Sequence, residues 1–485
     1  MNAFRVLLAT LPLLLSAPDA ALSAGPTAPV SVGHTKDPVL KWNSIALQAV
    51  VDDHSGTFGA PEQGGPTRAS RALAIVHIAV FDAVNAIVGG YEPYIEVTGW
   101  SPQVLGAASV ETAVAQAARD TLAFLYPNQQ DVFDGQLGKV LSGVAAKSGR
   151  DEGRAIGAAA AMNILLERFD DGGDAPDKPF PSGETKQIGL HQPDPLNPGQ
   201  GLLTPKWGDV LPFAMGDVAD FHAPPPPQPD SPDVIERLAY ALAYDEVQRL
   251  GGDGEITQTE RTAEQTDIGL FWGYDGSIGL GVPPRLYNQI ARVIAMHEHH
   301  TTVENARLFA LVNISMADAG IASWYSKYAY NYWRPVVAIR CGGSGESDDA
   351  DGNEFTIGDE DWTPLGAPAT NQSNGGIDFT PPFPAYTSGH ATFGAALFRT
   401  LANLYGDEYE FQLISDELNG RNRDSDGRHR RAIMRQFQSF SQAARENADS
   451  RIYLGIHWSF DADEGIAIGN AVADYAFHKY LQPLP

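Results

Sequence analysis

The chain is poor in cysteine, in basic residues and in long apolar runs. Cys341 is the only cysteine among 485 residues, which excludes a disulfide within the chain. The 33 Lys and Arg residues stand against 60 Asp and Glu, and the net charge of −27 argues against nucleic acid or an anionic membrane as a partner. After the N-terminus, no segment has the roughly 20 uninterrupted apolar residues that a membrane span needs. Stability therefore has to come from a packed core.

The N-terminus has the pattern of a secretory signal peptide. Arg5 precedes an apolar run from Val6 to Ser16, and small residues follow it up to a plausible cleavage position near Ser23 or Ala24. A buried N-terminal helix is the alternative interpretation. We expect residues 1–24 to be a signal peptide and the mature protein to be secreted or periplasmic.

Helical periodicity dominates the remainder of the chain. Apolar residues recur at three-to-four spacing, often with Ala, over Trp42–Asp52, Thr67–Ile87, Ser109–Leu125 and Arg150–Phe169. The same pattern returns over Asp233–Leu250, Arg285–His300, Val303–Trp333, Ser388–Leu404, Arg431–Ala448 and Ala462–Tyr480.

The pattern predicts an all-α fold of two packed helical bundles, with the active site in the C-terminal bundle. Residues 25–175 would form the N-terminal bundle and residues 233–485 the C-terminal one. The stretch between them, residues 176–232, is rich in Pro and Gly and includes four consecutive prolines from Pro224, so we expect an irregular connection there.

Three short segments carry the candidate catalytic and ligand-binding residues, and the first contains two cations. Lys327 and Arg334 are seven positions apart, about two turns of helix, so both side chains would project from nearly the same face. Two adjacent cations repel each other unless an anion lies between or near them. A pair of surface charges neutralised by local acids is the alternative, and Asp318 is a candidate to neutralise one of the arginines.

The second segment predicts an anion site at the start of a helix. The prolines around Phe383 cannot be helical throughout, whereas the residues after His390 can, so Ser388 and Gly389 should lie at a helix N-terminus. The free amides and the helix dipole favour negative charge at that end, and Gly389 lets an anion approach the backbone closely. His390 would then lie beside the anion as a proton donor or acceptor. An ordinary capped helix with a solvent-facing histidine is the alternative.

The third segment pairs an imidazole with a carboxylate. His457 and Asp461 are four positions apart and would share one face of a continuous helix. A carboxylate bonded to one ring nitrogen orients the imidazole and raises the basicity of the other nitrogen, which suits a metal ligand or a nucleophile. Arg451 needs a bend to join them, and Gly455 is the candidate position for it. A buried structural His–Asp pair is the alternative.

In order and spacing, the three segments resemble the signature shared by vanadium-dependent haloperoxidases and the type 2 phosphatidic acid phosphatase superfamily. That signature is K-x6-RP, then PSGH, then SR-x3-G-x-H-x3-D. The chain matches every position but one, since Thr387 stands where Pro is usual. The departure affects the shape of a turn and leaves the ligand residues intact. The matched motifs extend from residue 327 to residue 461, and the resemblance covers roughly the second half of the chain.

The resemblance implies a vanadate cofactor and a role for each matched residue. His457 would bind vanadium axially, Asp461 would orient His457, and His390 would take a proton near the opposite apical oxygen. Lys327 would also polarise bound peroxide. The equatorial oxygens would be bonded by Lys327, Arg334 and Arg451, and Ser388 Oγ and the Gly389 amide would add two donors.

Two aromatic residues favour the haloperoxidase branch. Phe383 and Trp324 resemble aromatic positions of the chloroperoxidase type and would form a halide pocket; core packing is the alternative interpretation. The expected activity is oxidation of halide, bromide with chloride as a second candidate, by hydrogen peroxide to a hypohalous acid equivalent that halogenates a small organic acceptor.

Two rivals remain. One is a secreted acid phosphatase that uses a phosphohistidine intermediate, with His457 as the nucleophile. The other is a non-catalytic oxyanion-binding protein.

Overall fold

The computed structural model of the chain describes residues 36–145, 149–181, 187–341, 351–372 and 378–485. The expected signal peptide, residues 1–24, lies outside the described residues. Six α-helices occupy the N-terminal part: α1 (Pro38–His54), α2 (Gly65–Val88), α3 (Pro102–Ala107), α4 (Val110–Leu125), α5 (Gln130–Gly143) and α6 (Asp151–Glu167). Eight occupy the C-terminal part: α7 (Val234–Leu250), α8 (Ala263–Phe271), α9 (Pro283–Glu298), α10 (Thr302–Tyr330), α11 (Pro335–Cys341), α12 (Gly389–Tyr405), α13 (Phe440–Tyr453) and α14 (Ser459–Lys479).

The helices form two packed bundles, as the periodicity predicts. Helix α2 is central to the first bundle, where it packs against α4 and α6, and it also contacts α10 of the second bundle. It is the one described helix long and apolar enough to cross a membrane by length and composition, with a mean hydropathy of 1.7, but 83% of that apolar window is buried inside the protein. This burial is the property of a core helix.

The second bundle is built around three long helices that bring the motif segments together. Helix α10 packs against α12 and α14, and α12 packs against α14 along much of its length. The α12–α14 approach is close because α14 presents glycine at the contact: a Cβ on Gly469 would lie 2.4 Å from the Thr392 carbonyl oxygen. The motif residues at the start of α12 and of α14 are therefore held side by side.

The helix expected over Arg431–Ala448 is wrong in its first part. Residues 432–437 form strand β2 (Ala432–Phe437), which pairs antiparallel with β1 (Phe411–Asn419) in a two-stranded sheet, and the helix starts only at Phe440. The ring of Phe437 stacks on that of Phe411 at 5.0 Å, and Ser439 caps α13 by accepting from the Gln442 amide. The long-range pairing and this cap override the local helical periodicity.

In the described part of the connection between the bundles, the helical segments are two short turns, at Trp207–Asp209 and Val218–Phe221. It is anchored by Asp318 of α10, whose buried carboxylate accepts from the backbone amides of three consecutive connection residues, Phe213, Ala214 and Met215, at 2.6 to 2.8 Å. The expectation that Asp318 neutralises an arginine of the motif segments is therefore wrong. Its carboxylate fastens the connection to the second bundle.

Candidate active site

The first motif segment is not one continuous helix. Helix α10 ends at Tyr330, and Asn331 adopts a left-handed conformation (φ 49°) that stops it. Lys327 therefore lies in the last turn, whereas Arg334 lies beyond the helix, so the prediction that both project from one helical face is wrong. An early end to the helix is consistent with Pro335, because the residue before a proline avoids the helical conformation.

Lys327 and Arg334 nevertheless converge, because both donate to the same short segment, residues 383–385. The Lys327 ammonium donates to the carbonyl oxygens of Pro384 (2.7 Å) and Ala385 (2.9 Å), and Arg334 Nε donates to the Phe383 carbonyl (3.0 Å). Both side chains are 0% exposed. Burial lowers the pKa of Lys327 well below its usual value and that of Arg334 to about 9. A nearby anion would raise the pKa of both groups and favour their charged forms.

The second segment forms a helix N-terminus as predicted. Ser388 is the N-cap of α12, and its own amide donates to the Asp461 carbonyl oxygen at 2.9 Å. Gly389 packs under the indole of Trp324, since a Cβ there would lie 3.3 Å from the ring. The contact with Asp461 joins the second segment to the third.

His390 is a neutral imidazole with a defined acceptor nitrogen. Its Nε2 lies 2.7 Å from the Gly273 carbonyl oxygen, so Nε2 carries the proton and donates. Burial, followed by the charge of Arg451, lowers the pKa of His390 to about 4. Near neutral pH, Nδ1 is therefore free to accept a proton.

The third segment turns sharply before α14. Gly455 has φ 73°, and His457 precedes the first residue of α14, so the His–Asp pair forms across a helix start instead of along one helix. His457 Nδ1 donates to Asp461 Oδ2 at 2.8 Å, and Arg334 Nη1 lies 2.9 Å from His457 Nε2. Burial keeps the pKa of His457 well below its usual value and raises that of Asp461 to about 7. The Nε2 lone pair of His457 is thus directed at a cation.

Arg451 is held by a carboxylate that the sequence reasoning missed. Its Nη2 donates to Asp275 Oδ1 at 2.7 Å, and both side chains are buried. Asp275 lies in a loop between α8 and α9 and no motif spacing marks it; the flanking glycines, Gly273 and Gly276, are a turn signal without a chemical one.

Several polar atoms around this cluster are buried without a partner. They include Arg334 Nη2, Arg451 Nε and Arg451 Nη1. Buried donors on a cation are costly unless an acceptor meets them, and an oxyanion supplies several acceptors at once. The residues present therefore fit vanadate or phosphate. We call this set the oxyanion cradle: Lys327, Arg334, Ser388, Gly389, Arg451 and His457.

A cavity of about 410 Å³ reaches the cradle, and its lining includes Gly389, His390, Arg451 and His457. Lys327, Arg334 and Ser388 do not line this cavity. The other lining residues are largely apolar and include the ion pair of Arg68 and Asp177. A small molecule in the cavity can therefore contact the cradle.

Trp324 and Phe383 form the aromatic wall of this cavity. Their ring centroids are 4.9 Å apart, and the Phe383 centroid lies 5.0 Å from both Lys327 Nζ and Arg334 Cζ. Both rings are buried in the core and also border the cavity. Across the described residues, no group of three or more His, Cys, Asp or Glu side chains could hold a metal ion.

Known proteins are similar to this chain in both sequence and fold. Residues 31–148 match the model of the vanadium chloroperoxidase N-terminal domain, and residues 307–484 match that of the VCPO second helical-bundle domain. The chain is 33% identical over 496 residues to the vanadium chloroperoxidase of Curvularia inaequalis, across 87% of this chain and 79% of that protein.

Two crystal structures show the same fold. A bacterial vanadium-dependent iodoperoxidase superposes with a TM-score of 0.73 at 22% identity, covering 94% of this chain and 99% of the other. A holo-type bacterial vanadium-dependent chloroperoxidase gives 0.62 at 16% identity, covering 87% and 94%. On the identity and coverage shared with the Curvularia enzyme, the chain belongs to the vanadium-dependent haloperoxidases, a family of peroxidase enzymes.

Proposed function

We propose that this protein binds vanadate and uses hydrogen peroxide to oxidise halide, bromide or chloride, to a hypohalous acid equivalent that halogenates small organic acceptors. The observation that carries the proposal is the set of unpartnered buried nitrogens on Arg334 and Arg451, next to the Nε2 lone pair of His457. An N-terminal signal pattern in the sequence supports a secreted or periplasmic location.

The cradle residues would hold vanadate through charge and hydrogen bonds. Arg334, Arg451 and Lys327 supply positive charge, Ser388 and Gly389 supply donors at a helix N-terminus, and His457 supplies one nitrogen ligand. When bound, vanadate supplies a Lewis acid that activates hydrogen peroxide without a change in the oxidation state of vanadium.

The proton chemistry falls to His390 and the orientation to Asp461. With Nε2 fixed on the Gly273 carbonyl, His390 Nδ1 takes a proton from incoming peroxide. Asp461 holds His457 through Nδ1 and keeps Nε2 unprotonated. Lys327 places a positive charge where negative charge develops on peroxide oxygen.

The aromatic wall excludes water from the reacting atoms. Trp324 and Phe383 are 1% and 8% exposed, and the face they present to the cavity is apolar. In such a low-dielectric pocket the cations act more strongly on developing charge than they would in water. A halide and then a small organic acceptor would reach this face through the cavity.

The activity is tested by comparing two reactions of the purified protein. With vanadate, peroxide and bromide or chloride, we expect halogenation of a phenol; without vanadate, we expect little hydrolysis of a phosphate ester. Strong phosphatase activity with no halogenation would overturn the proposal in favour of the phosphatase. Oxyanion binding without turnover in either assay would identify a binding protein.

The residue roles are tested with three histidine variants. His457→Ala should abolish vanadate retention, measured by equilibrium dialysis, whereas His390→Ala should retain vanadate and turn over more slowly. His222→Ala is the matched control, because His222 is exposed and lies outside the cavity. Halogenation at the parent rate by His457→Ala would contradict the role of His457 as the nitrogen ligand of vanadate.

A further inference from the structure

Two functional side chains from different helices are bonded to the same short loop. His390 of α12 donates to the Gly273 carbonyl oxygen at 2.7 Å, and Arg451 of α13 donates to Asp275 at 2.7 Å. We call residues 273–275 the cradle loop. Because both bonds are made to one three-residue segment, a shift of its backbone moves the proton acceptor and a cradle cation together.

The conformation of the cradle loop has to be held by its surroundings. Its middle residue, Tyr274, is fully buried and has φ 59°, a left-handed conformation that is unfavourable for a non-glycine residue. The Tyr274 hydroxyl donates to Gln289 Oε1 at 3.0 Å and accepts from the Asp416 amide at 2.7 Å. These bonds fix the side chain, and the backbone amide needs a separate partner.

That partner is Glu417, a buried carboxylate on strand β1 that does not line the cavity. Its Oε1 accepts from the Tyr274 amide at 2.9 Å and lies so close to Gly273 that a Cβ there would be 2.6 Å away. Its Oε2 accepts from the Thr370 hydroxyl at 2.6 Å and from Arg430 Nη1. One carboxylate thus ties the cradle loop to the hairpin and its ion pair.

We propose that Glu417 is a positioning residue of the oxyanion site: fixed by Arg430, it holds the cradle loop so that Gly273 orients His390 and Asp275 orients Arg451. This role rests on the proposed oxyanion binding by the cradle. It extends the functional unit to the β-hairpin, which contributes no residue to the cradle itself.

The test uses Glu417→Gln, which keeps the size of the side chain. The introduced side-chain NH₂ group cannot accept a hydrogen bond. Whichever way the side-chain amide is oriented, this group faces a donor, either the Tyr274 backbone amide or Arg430, and one bond is lost. We expect the Kd of the vanadate-free protein for orthovanadate, measured by equilibrium dialysis, to rise about 10-fold to 100-fold, the range typical of partners that orient ligand residues. The KM for peroxide of the vanadate-loaded enzyme should rise as well.

Asp424→Asn is the matched control. Asp424 binds the other side of Arg430, at 3.0 Å, and does not contact the cradle loop, so the variant should lower the melting temperature without changing Kd. If Glu417→Gln fails to fold, Tyr274→Phe loosens the same loop by another route and should raise Kd in the same direction. A normal Kd in a folded Glu417→Gln protein overturns the proposal. A raised Kd in a protein that never halogenates would keep the positioning role and reject the peroxidase function.

Discussion

Two of the groups of buried cations in the protein differ in how completely their nitrogens are bonded. In the N-terminal bundle, Arg71 and Arg168 both donate from Nε to one oxygen of Asp171 at 2.8 Å, and Arg168 also donates to the carbonyl oxygens of Leu211 and Pro212. Neither arginine has a buried nitrogen without a partner in the described structure. This group, which we call the Asp171 cluster, is complete without a ligand.

The cations of the oxyanion cradle, in contrast, are incompletely bonded. Arg334 and Arg451 keep buried nitrogens without acceptors, although each also makes bonds within the protein. Burying such donors is unfavourable, and the surrounding fold has to offset that cost. The comparison indicates that the Asp171 cluster stabilises the fold, whereas the cradle is organised for an anion.

The largest effect is expected from breaking the complete cluster. Asp171→Asn leaves two buried guanidinium groups without their counter-charge, so the free energy of unfolding should fall by about 3–5 kcal/mol. Chemical denaturation measures this loss. Vanadate affinity should stay unchanged in the protein that remains folded; a weakened affinity would show that the two groups are coupled.

Removing a cradle cation should have the opposite effect, a loss of vanadate binding. Vanadate at about 100 times its Kd should stabilise the wild-type protein by about 2.7 kcal/mol, because it binds only the folded state. Vanadate should stabilise the Asp171→Asn variant by a similar amount. Vanadate at the same concentration should hardly stabilise Arg334→Met, since this variant lacks the charge and the unpartnered Nη2 of Arg334. Equal stabilisation of all three proteins would contradict an anion site at Arg334.

The local motifs predict the members of the cradle well because each carries its chemistry within a few residues. The Ser388 N-cap follows from the prolines before it, and the His457–Asp461 bond follows from their spacing even though no single helix holds them. Arg334 shows the limit of this reasoning. Its position depends on the left-handed turn at Asn331, which a seven-residue spacing does not reveal.

Features that depend on long-range contacts could not be predicted. Asp275 acquires its role only when its loop folds onto Arg451, 176 residues later in the chain. Strand β2 exists because it pairs with β1, and its residues alone resemble the start of a helix. The role of Glu417 could not be predicted either, since its buried partners come from other parts of the chain.

A smaller effect is expected from a buried histidine outside the cradle. His77 of α2 accepts from the Asn43 side-chain amide at 3.0 Å, and burial, with the charge of Arg292, lowers its pKa to about 3. Because this pKa lies below the unfolded value of 6.5, the stability due to neutral His77 is present above pH 6.5 and is lost as pH falls.

Between pH 6.5 and 5.5 this loss is about 1 kcal/mol. His77→Gln should remove it, so its unfolding free energy should fall less over that interval than that of the wild-type protein. Denaturation curves at the two pH values measure the difference. An identical pH dependence in both proteins would show that His77 does not titrate on unfolding.

The smallest effect is expected at the aromatic wall, where Phe383 faces both Lys327 and Arg334. Phe383→Leu keeps an apolar wall and the backbone bonds of both cations but removes the ring that they contact, a change worth about 0.5–1 kcal/mol, or roughly twofold to fivefold in kcat/KM for bromide. Phe379→Leu is the control, because Phe379 lines the same cavity without a cation against its ring. If both variants lose activity equally, the wall acts only by excluding water, and the ring of Phe383 does not stabilise the cradle cations.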